Sequence, residues 1–395
     1  MYLTSFIHRE ELLGIVERWL CARVEPGDAA LLTKIFICDG YVLAHTLDAI
    51  TGEILENVGA AKLKRVRIKS KGELRDALFK LPGDSSPRIE YLLGRYRKNP
   101  EYFFYQTPVS GVLLLDDREG LLASYRIKRP KRIAEKANRY IASWIFETVQ
   151  NRARSMAIGR AQKAGLPLDR LITSPEEMKR EFIEAEEAIA AGFRHADMRL
   201  ERSSITIDDV GGIKIVGSRE ELKRIEGFLG ADPRLKLVER QSFHGNYEAV
   251  SFILDLGWDP EGICKKFRDS AAWEKYLDRG IPFFELKKGL EPLVKNCPER
   301  IRLELILCTP EALVESELGQ SIHEERMICQ RDFKPYNGYI PTNVGFLIEY
   351  LFAVGFSPKV EIAEVPIKLW GRYLPDTLGK FVGQLFELPE HDLFY

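Results

Sequence analysis

Two carboxylates and one run of cations in this sequence stand where chemistry could use them. From Ile301 the apolar residues alternate: Ile301, Leu303, Leu305 and Leu307 face one way, Arg302, Glu304, Ile306 and Cys308 the other. A period of two is a strand with one face in the core. Thr309 then caps a helix whose first turn holds Pro310 and Glu311, residues that a helix start prefers. Glu304 is thus a sheet carboxylate close to a helix N-terminus. Asp209 precedes Val210-Gly211-Gly212-Ile213-Lys214-Ile215-Val216. An aspartate at the mouth of a buried strand can hold a divalent metal against phosphates, and two glycines let a ligand approach the backbone. Residues 125–139 place Arg126, Lys128, Lys131, Arg132 and Lys136 around Pro130, at the junction of an extended piece and a helix. Free backbone N–H groups, the positive end of the helix dipole and several cations together make a polyphosphate site. Taken singly, each has a plain reading: a solvated strand glutamate, a turn aspartate and a solvated basic face.

The rest of the chain bounds what these residues can belong to. With 395 residues, two or three domains are expected and a substantial core is possible. Apolar content of 45% and charged content of 30% are those of a soluble globular protein. The 58 basic and 59 acidic residues nearly cancel, so overall charge demands neither nucleic acid nor a membrane. The cysteines Cys21, Cys38, Cys264, Cys297, Cys308 and Cys329 are scattered without a CxxC pair. That spacing favours reduced thiols in a cytoplasmic protein over a disulfide framework or a zinc site. The N-terminus shows no signal-peptide pattern. The most apolar window, 344–356, is broken by Glu349 and too short to span a bilayer.

Along the chain, residues 1 to about 120 form a first region. Within it residues 8–24 and 71–81 are expected as helices, the second capped by Ser70, and 109–115 as a buried strand; nothing there points to chemistry. From Pro130 to Gly165 there is no further proline, which predicts one or two long helices. Ser174 and Glu177 form a capping box for a helix over 175–193. Strands are expected at 204–207, 212–216, 235–239 and 247–255, around a helix at 219–229. Residues 257–299 read as helical and loop-rich. Residues 331–395 form an aromatic-rich extension with a helix near 343–354.

Read in order, four blocks resemble the RelA/SpoT alarmone synthetases. Arg126-Ile127-Lys128, Pro130, Ile133, Glu135, Lys136 and Arg139 look like the family's first motif. Asp209-Val210-x-Gly212-Ile213-Lys214-Ile215 is similar to its metal-binding aspartate and Gly-Ile-Arg strand. Asn246-Tyr247-Glu248-Ala249-Val250 resembles the stretch whose tyrosine stacks on guanine. Glu304-Leu305-Ile306-Leu307-Cys308-Thr309, with Glu317, Gly319 and His323, is similar to the Glu-Ile-Gln-Ile-Arg-Thr strand and the helix after it. The chain also departs from the family. Cys308 replaces an arginine, Lys214 replaces another and lacks its bidentate fork, and the basic segment before the stacking tyrosine is missing.

The resemblance implies a synthetase-like domain over 121–330, with helical insertions at about 140–202 and 257–299. Its fold would be α+β and nucleotidyltransferase-like: a mixed, mostly antiparallel sheet flanked by helices, with extra N- and C-terminal regions. The implied reaction moves pyrophosphate from ATP to a 3′-hydroxyl of GDP, GTP or a related acceptor, an RNA end among them. Asp209 and Glu304 would be the catalytic, Mg²⁺-binding pair. Arg126, Lys128, Lys131, Lys136 and Lys214 would meet the ATP phosphates, and Tyr247 and His323 the acceptor. Positioning and charge neutralisation are most of what such a transfer asks for. The departures leave open a module that binds nucleotide, RNA or a protein partner without catalysis.

Overall fold

The alternating run at 301–307 is a strand, Arg300–Cys308 (β9), whose inward residues Ile301, Leu303, Leu305 and Leu307 are fully buried. The computed structural model describes residues 1–60, 62–81, 86–170, 173–244, 248–319, 324, 325, 328 and 338–389. The other strands are, in chain order, Tyr2–Leu3 (β1), Lys64–Ser70 (β2), Pro108–Leu115 (β3), Leu121–Ile127 (β4), Thr206–Ile207 (β5), Gly211–Val216 (β6), Leu235–Phe243 (β7) and Ala249–Gly257 (β8). Seven of them form one open sheet in the order β2-β3-β4-β6-β9-β8-β7. Only β6 and β9 run parallel; the other neighbours are antiparallel. The fold is therefore α+β, with a mostly antiparallel sheet between helices. β2 and β3, from the first region, are hydrogen-bonded into the same sheet as the strands after residue 120.

The two faces of the sheet are covered differently. On one, Ala123, Ile213, Ile215, Leu305 and Phe252 join the main core with residues of the helices Asp28–Asn57, Pro130–Lys163 and Tyr339–Phe356. On the other, Leu113, Val216, Ala249 and Cys308 pack under Leu74, Leu92 and Leu313, from the helices Lys71–Asp76, Pro87–Lys98 and Pro310–Leu318. Large side chains at such positions each contribute roughly 1.5–3 kcal/mol by burial.

Local signals set the helix starts. Ser70, Ser174 and Thr309 accept hydrogen bonds from the backbone N–H groups of Glu73, Glu177 and Ala312, and Ser218 with Glu221 closes a full capping box on Arg219–Ala231. Residues after Pro130 form a single helix to Lys163. The expected strand at 204–207 is corrected: Arg202–Ile205 is a 3₁₀ turn and only Thr206–Ile207 is extended, because its partner β1 is itself two residues long. The 30-residue helix Asp28–Asn57 gave no periodic signal, since it is apolar and buried on most sides. It and Tyr339–Phe356 are long and apolar enough to cross a membrane, yet 61% of each apolar window is buried inside the protein, as core helices are. Rings from the two stack, Phe36 on Phe352 at 5.1 Å and on Phe356 at 5.2 Å.

Candidate functional site

Sheet register brings the first, second and fourth blocks side by side. Arg126 on β4 pairs with Gly111 on β3 and Gly212 on β6, and Gly212 pairs with Glu304 on β9. A row therefore runs Gly111, Arg126, Gly212, Glu304 across four adjacent strands. The glycines on either side of Arg126 keep that row low. A Cβ at Gly111 would stand 2.7 Å from Arg126 Cγ, and one at Gly212 would stand 3.7 Å from Glu304 Oε2. Arg126 ion-pairs with no described side chain, although its charge is felt by Glu317. Ser251 on β8 donates from Oγ to Glu304 Oε1 at 3.3 Å. The next row holds Ser124, Lys214, Ile306 and Ser251.

Asp209 lies just before β6, where the Lys128 N–H donates to the Val210 carbonyl at 2.8 Å. Its Oδ2 meets Lys128 Nζ at 2.9 Å and Lys136 Nζ at 2.8 Å, and Lys128 also donates to the Asp209 carbonyl. Burial alone would raise this carboxyl, but the two ammonium groups outweigh it and hold the pKa at about 2. Lys136 is pushed up in turn, its own burial outweighed by Asp209. Oδ1 of Asp209 is buried with no hydrogen-bond partner among the described residues, an ionised oxygen open to a further donor or cation. Lys131 is exposed on the first turn of the helix. Asp208 points elsewhere: it accepts from Thr4 Oγ1 at 2.7 Å and pairs with Arg302 at 3.1 Å, fixing the loop against β9.

One further cluster closes the polar side of the sheet, joining Glu317 of the fourth block to residues 242 and 246 positions away. Lys71 and Arg75, from a stretch expected to carry no chemistry, are buried with Glu317 and Glu324. Lys71 Nζ lies 2.9 Å from Glu317 and 3.0 Å from Glu324; Arg75 lies 2.8 Å from Glu324 and 3.5 Å from Glu317. Lys214 adds a weaker contact to Glu317 at 3.9 Å. Glu317 is buried, which raises its pKa, but Lys71, Lys214, Arg126 and Arg75 together hold it well below the carboxylate range. Lys71 goes down because burial costs it more than the two glutamates return. The one available signal was the i, i+4 spacing of Lys71 and Arg75 after the Ser70 cap.

Of the candidate residues, Arg126, Lys128, Lys136, Asp209, Lys214 and Glu304 are therefore set on or beside three adjacent strands, and Lys131 on the rim. Cys308 is fully buried, its thiol on the Ile215 carbonyl at 3.8 Å, so it belongs to the core under Pro310–Leu318. Tyr247 and His323 lie outside the described residues. No protein-family model matches this chain, and no curated protein matches it in sequence.

Proposed function

We propose that this protein is a nucleotide pyrophosphokinase-like transferase of the cytoplasm, moving the terminal pyrophosphoryl group of ATP to a 3′-hydroxyl of a guanine nucleotide or a related acceptor. The observation that carries the reading is the convergence of Arg126, Gly212 and Glu304 in one row, with Asp209 and its lysines just before the strand that carries Gly212, from blocks far apart in sequence. The residues fit Mg²⁺ at one oxygen: Asp209 stays ionised across the physiological range and its Oδ1 is buried and unpartnered. Asp209 through Oδ1, and Glu304 across the sheet, would hold the ion, which supplies charge neutralisation on the phosphates. Arg126, Lys128, Lys131 and Lys136 offset the remaining charge of the triphosphate. Glu304, oriented by Ser251, accepts the proton of the attacking hydroxyl. The 3′-oxygen bonds to the β-phosphorus, the bond from that phosphorus to the α–β bridging oxygen breaks, and AMP leaves with the electron pair.

A second reading, a synthetase-like module that binds without catalysis, is favoured by Cys308 being a core residue and by Asp209 Oδ2 already holding two lysines. Incubation with labelled ATP, Mg²⁺ and a panel of GDP, GTP and RNA 3′-ends separates the two. AMP release coupled to a pyrophosphorylated acceptor, lost in Glu304→Gln, supports the transferase. Nucleotide binding with no AMP from any acceptor sustains the module instead.

A further inference from the structure

Buried between β1 and the helix Arg9–Leu20, His8 meets acceptors at both ring nitrogens. Nε2 lies 2.9 Å from the Leu293 carbonyl, which can only accept, and Nδ1 lies 3.0 Å from Asp39 Oδ1. A neutral imidazole has one proton. If Nε2–H serves the carbonyl, the bare Nδ1 lone pair faces a carboxylate, and that arrangement holds only if a second proton or a metal ion lies between them. Asp39 is buried; its Oδ1 also accepts from the Ile7 N–H at 3.2 Å, and its Oδ2 is buried with no partner among the described residues. Cys38, the preceding residue, is fully buried, and ligand atoms of His8, Cys38 and Asp39 all lie within 4.8 Å of one another. One more thiol stands near: Cys297 Sγ is 3.5 Å from His8 Nε2.

We propose that His8 Nδ1, Cys38 Sγ and Asp39 form a buried site for one divalent transition-metal ion of the zinc type. The donor set mixes imidazole, thiolate and carboxylate, which suits Zn²⁺ and not the oxygen-seeking Mg²⁺ or Ca²⁺. The Leu293 carbonyl accepts from Nε2–H and so fixes the tautomer that presents Nδ1 to the ion. Three protein donors leave a fourth position for water or for a rotated Cys297. Without the ion the same cluster is held by an imidazolium that donates from Nδ1 to Asp39 Oδ1. Binding therefore replaces the Nδ1 proton and the Cys38 thiol proton by the ion, and both protons leave to solvent.

The three donors come from two separate parts of the fold, and the carbonyl that orients His8 from a third. His8 ends the segment after β1, Cys38 and Asp39 lie mid-way along Asp28–Asn57, and Leu293 precedes β9. The segment that His8 ends also accepts the Arg302 N–H at the Thr4 carbonyl, 3.1 Å away, and Thr4 holds Asp208. An ion here would therefore clamp to the helix Asp28–Asn57 the N-terminal segment whose Thr4 holds the loop that presents Asp209. Sequence spacing argued against zinc because the cysteines are scattered without a CxxC pair; only the fold assembles the set.

The test uses the full-length chain purified without chelators. Mass-spectrometric metal analysis should find one zinc per chain in wild type and in Cys21→Ser, whose cysteine lies elsewhere, and none in Cys38→Ser. Wild type stripped of metal and titrated with Co²⁺ should show a thiolate-to-cobalt charge-transfer band and the intense visible bands of tetrahedral cobalt. That spectrum keeps the proposal testable if Cys38→Ser does not fold. A stripped wild type that stays folded by circular dichroism, yet gives no thiolate–cobalt band and does not compete with a chromophoric chelator for Zn²⁺, overturns the site. Zinc retained at full stoichiometry in folded Cys38→Ser overturns it as well.

Discussion

Asp209→Asn keeps the side chain's size and removes its charge, and its two effects can be read separately. In the folded protein two ammonium groups, at 2.8 and 2.9 Å, hold the Asp209 carboxyl at about 2 against an ordinary 3.8. That gap corresponds to about 2 kcal/mol of stability at pH 7. The sign follows from the depressed value: the contribution is complete above the unfolded-state pKa and is lost as pH falls through the folded one, so roughly half remains at pH 3. Urea unfolding followed by circular dichroism should therefore show Asp209→Asn weaker by about 2 kcal/mol at pH 7 and by about half that at pH 3. A domain with an ordinary 5–15 kcal/mol of stability, roughly, stays folded through this loss. Turnover is a different matter. If Oδ1 shares Mg²⁺ with the phosphates, losing the carboxylate should raise the barrier by about 3–4 kcal/mol, roughly 10²–10³ in rate. Nucleotide affinity should fall far less, since Arg126 and the lysines remain. A stability difference that does not change between pH 7 and pH 3 would refute the electrostatic account. Full turnover in folded Asp209→Asn would remove the metal from this position.

Three other perturbations probe the surroundings. Glu317→Gln leaves Lys71 and Arg75 buried against Glu324 alone and should cost about 3–5 kcal/mol at pH 7; because Glu317 is held below its ordinary 4.5, the penalty seen by calorimetry should shrink as pH falls below 4.5, and an equal penalty at pH 4 and 7 would count against the cluster. Gly111→Ala brings a Cβ to 2.7 Å from Arg126 Cγ and must move that side chain, so ATP affinity measured by calorimetric titration should fall several-fold while Gly94→Ala, which meets nothing nearby, leaves it alone. Lys131→Glu alters an exposed charge at the helix start and should weaken ATP binding with stability changed by no more than about 0.5 kcal/mol; the same reversal at Lys128 is not clean, because it would set two carboxylates together at Asp209.

What the sequence disclosed was what is local. The period of two at 301–307, the caps at Ser70, Ser174 and Thr309, and the start of the helix at Pro130 depend on residues within a few positions of each other, and each is found where the pattern put it. The neighbourly relation of Gly212 and Glu304 was reachable only through a family pattern, since their strands are joined by a connection that includes β7 and β8. The Lys71–Glu317 pair spans 246 positions, and nothing in either residue's surroundings marks it for burial. A lysine on a helix reads as solvated until its partner is known. His8 with Cys38 and Asp39 was invisible for the same reason. The helix Asp28–Asn57 was missed for the opposite one: with most of its sides in the core, its polar stripe is too narrow to set a clear period.

The charges around the row suggest why the arrangement needs a cation from outside if ATP is its ligand. Arg126, Lys128, Lys131 and Lys136 supply four positive charges, Asp209 and Glu304 two negative ones, so these side chains give four minus two, a surplus of two. The triphosphate of ATP carries about four negative charges at neutral pH, and phosphoryl-type transfer needs them neutralised where the charge moves. The shortfall of two is one divalent ion. Lys71, Arg75 and Lys214 do not fill it, because Glu317 and Glu324 already engage them in the buried cluster. The unpartnered Oδ1 of Asp209 is the one place beside the row where a buried, ionised oxygen has no donor among the described residues. Removing Mg²⁺ should therefore weaken ATP binding far more in wild type than in Asp209→Asn, where the neutral amide brings the surplus to three. An equal loss in both proteins would place the ion elsewhere.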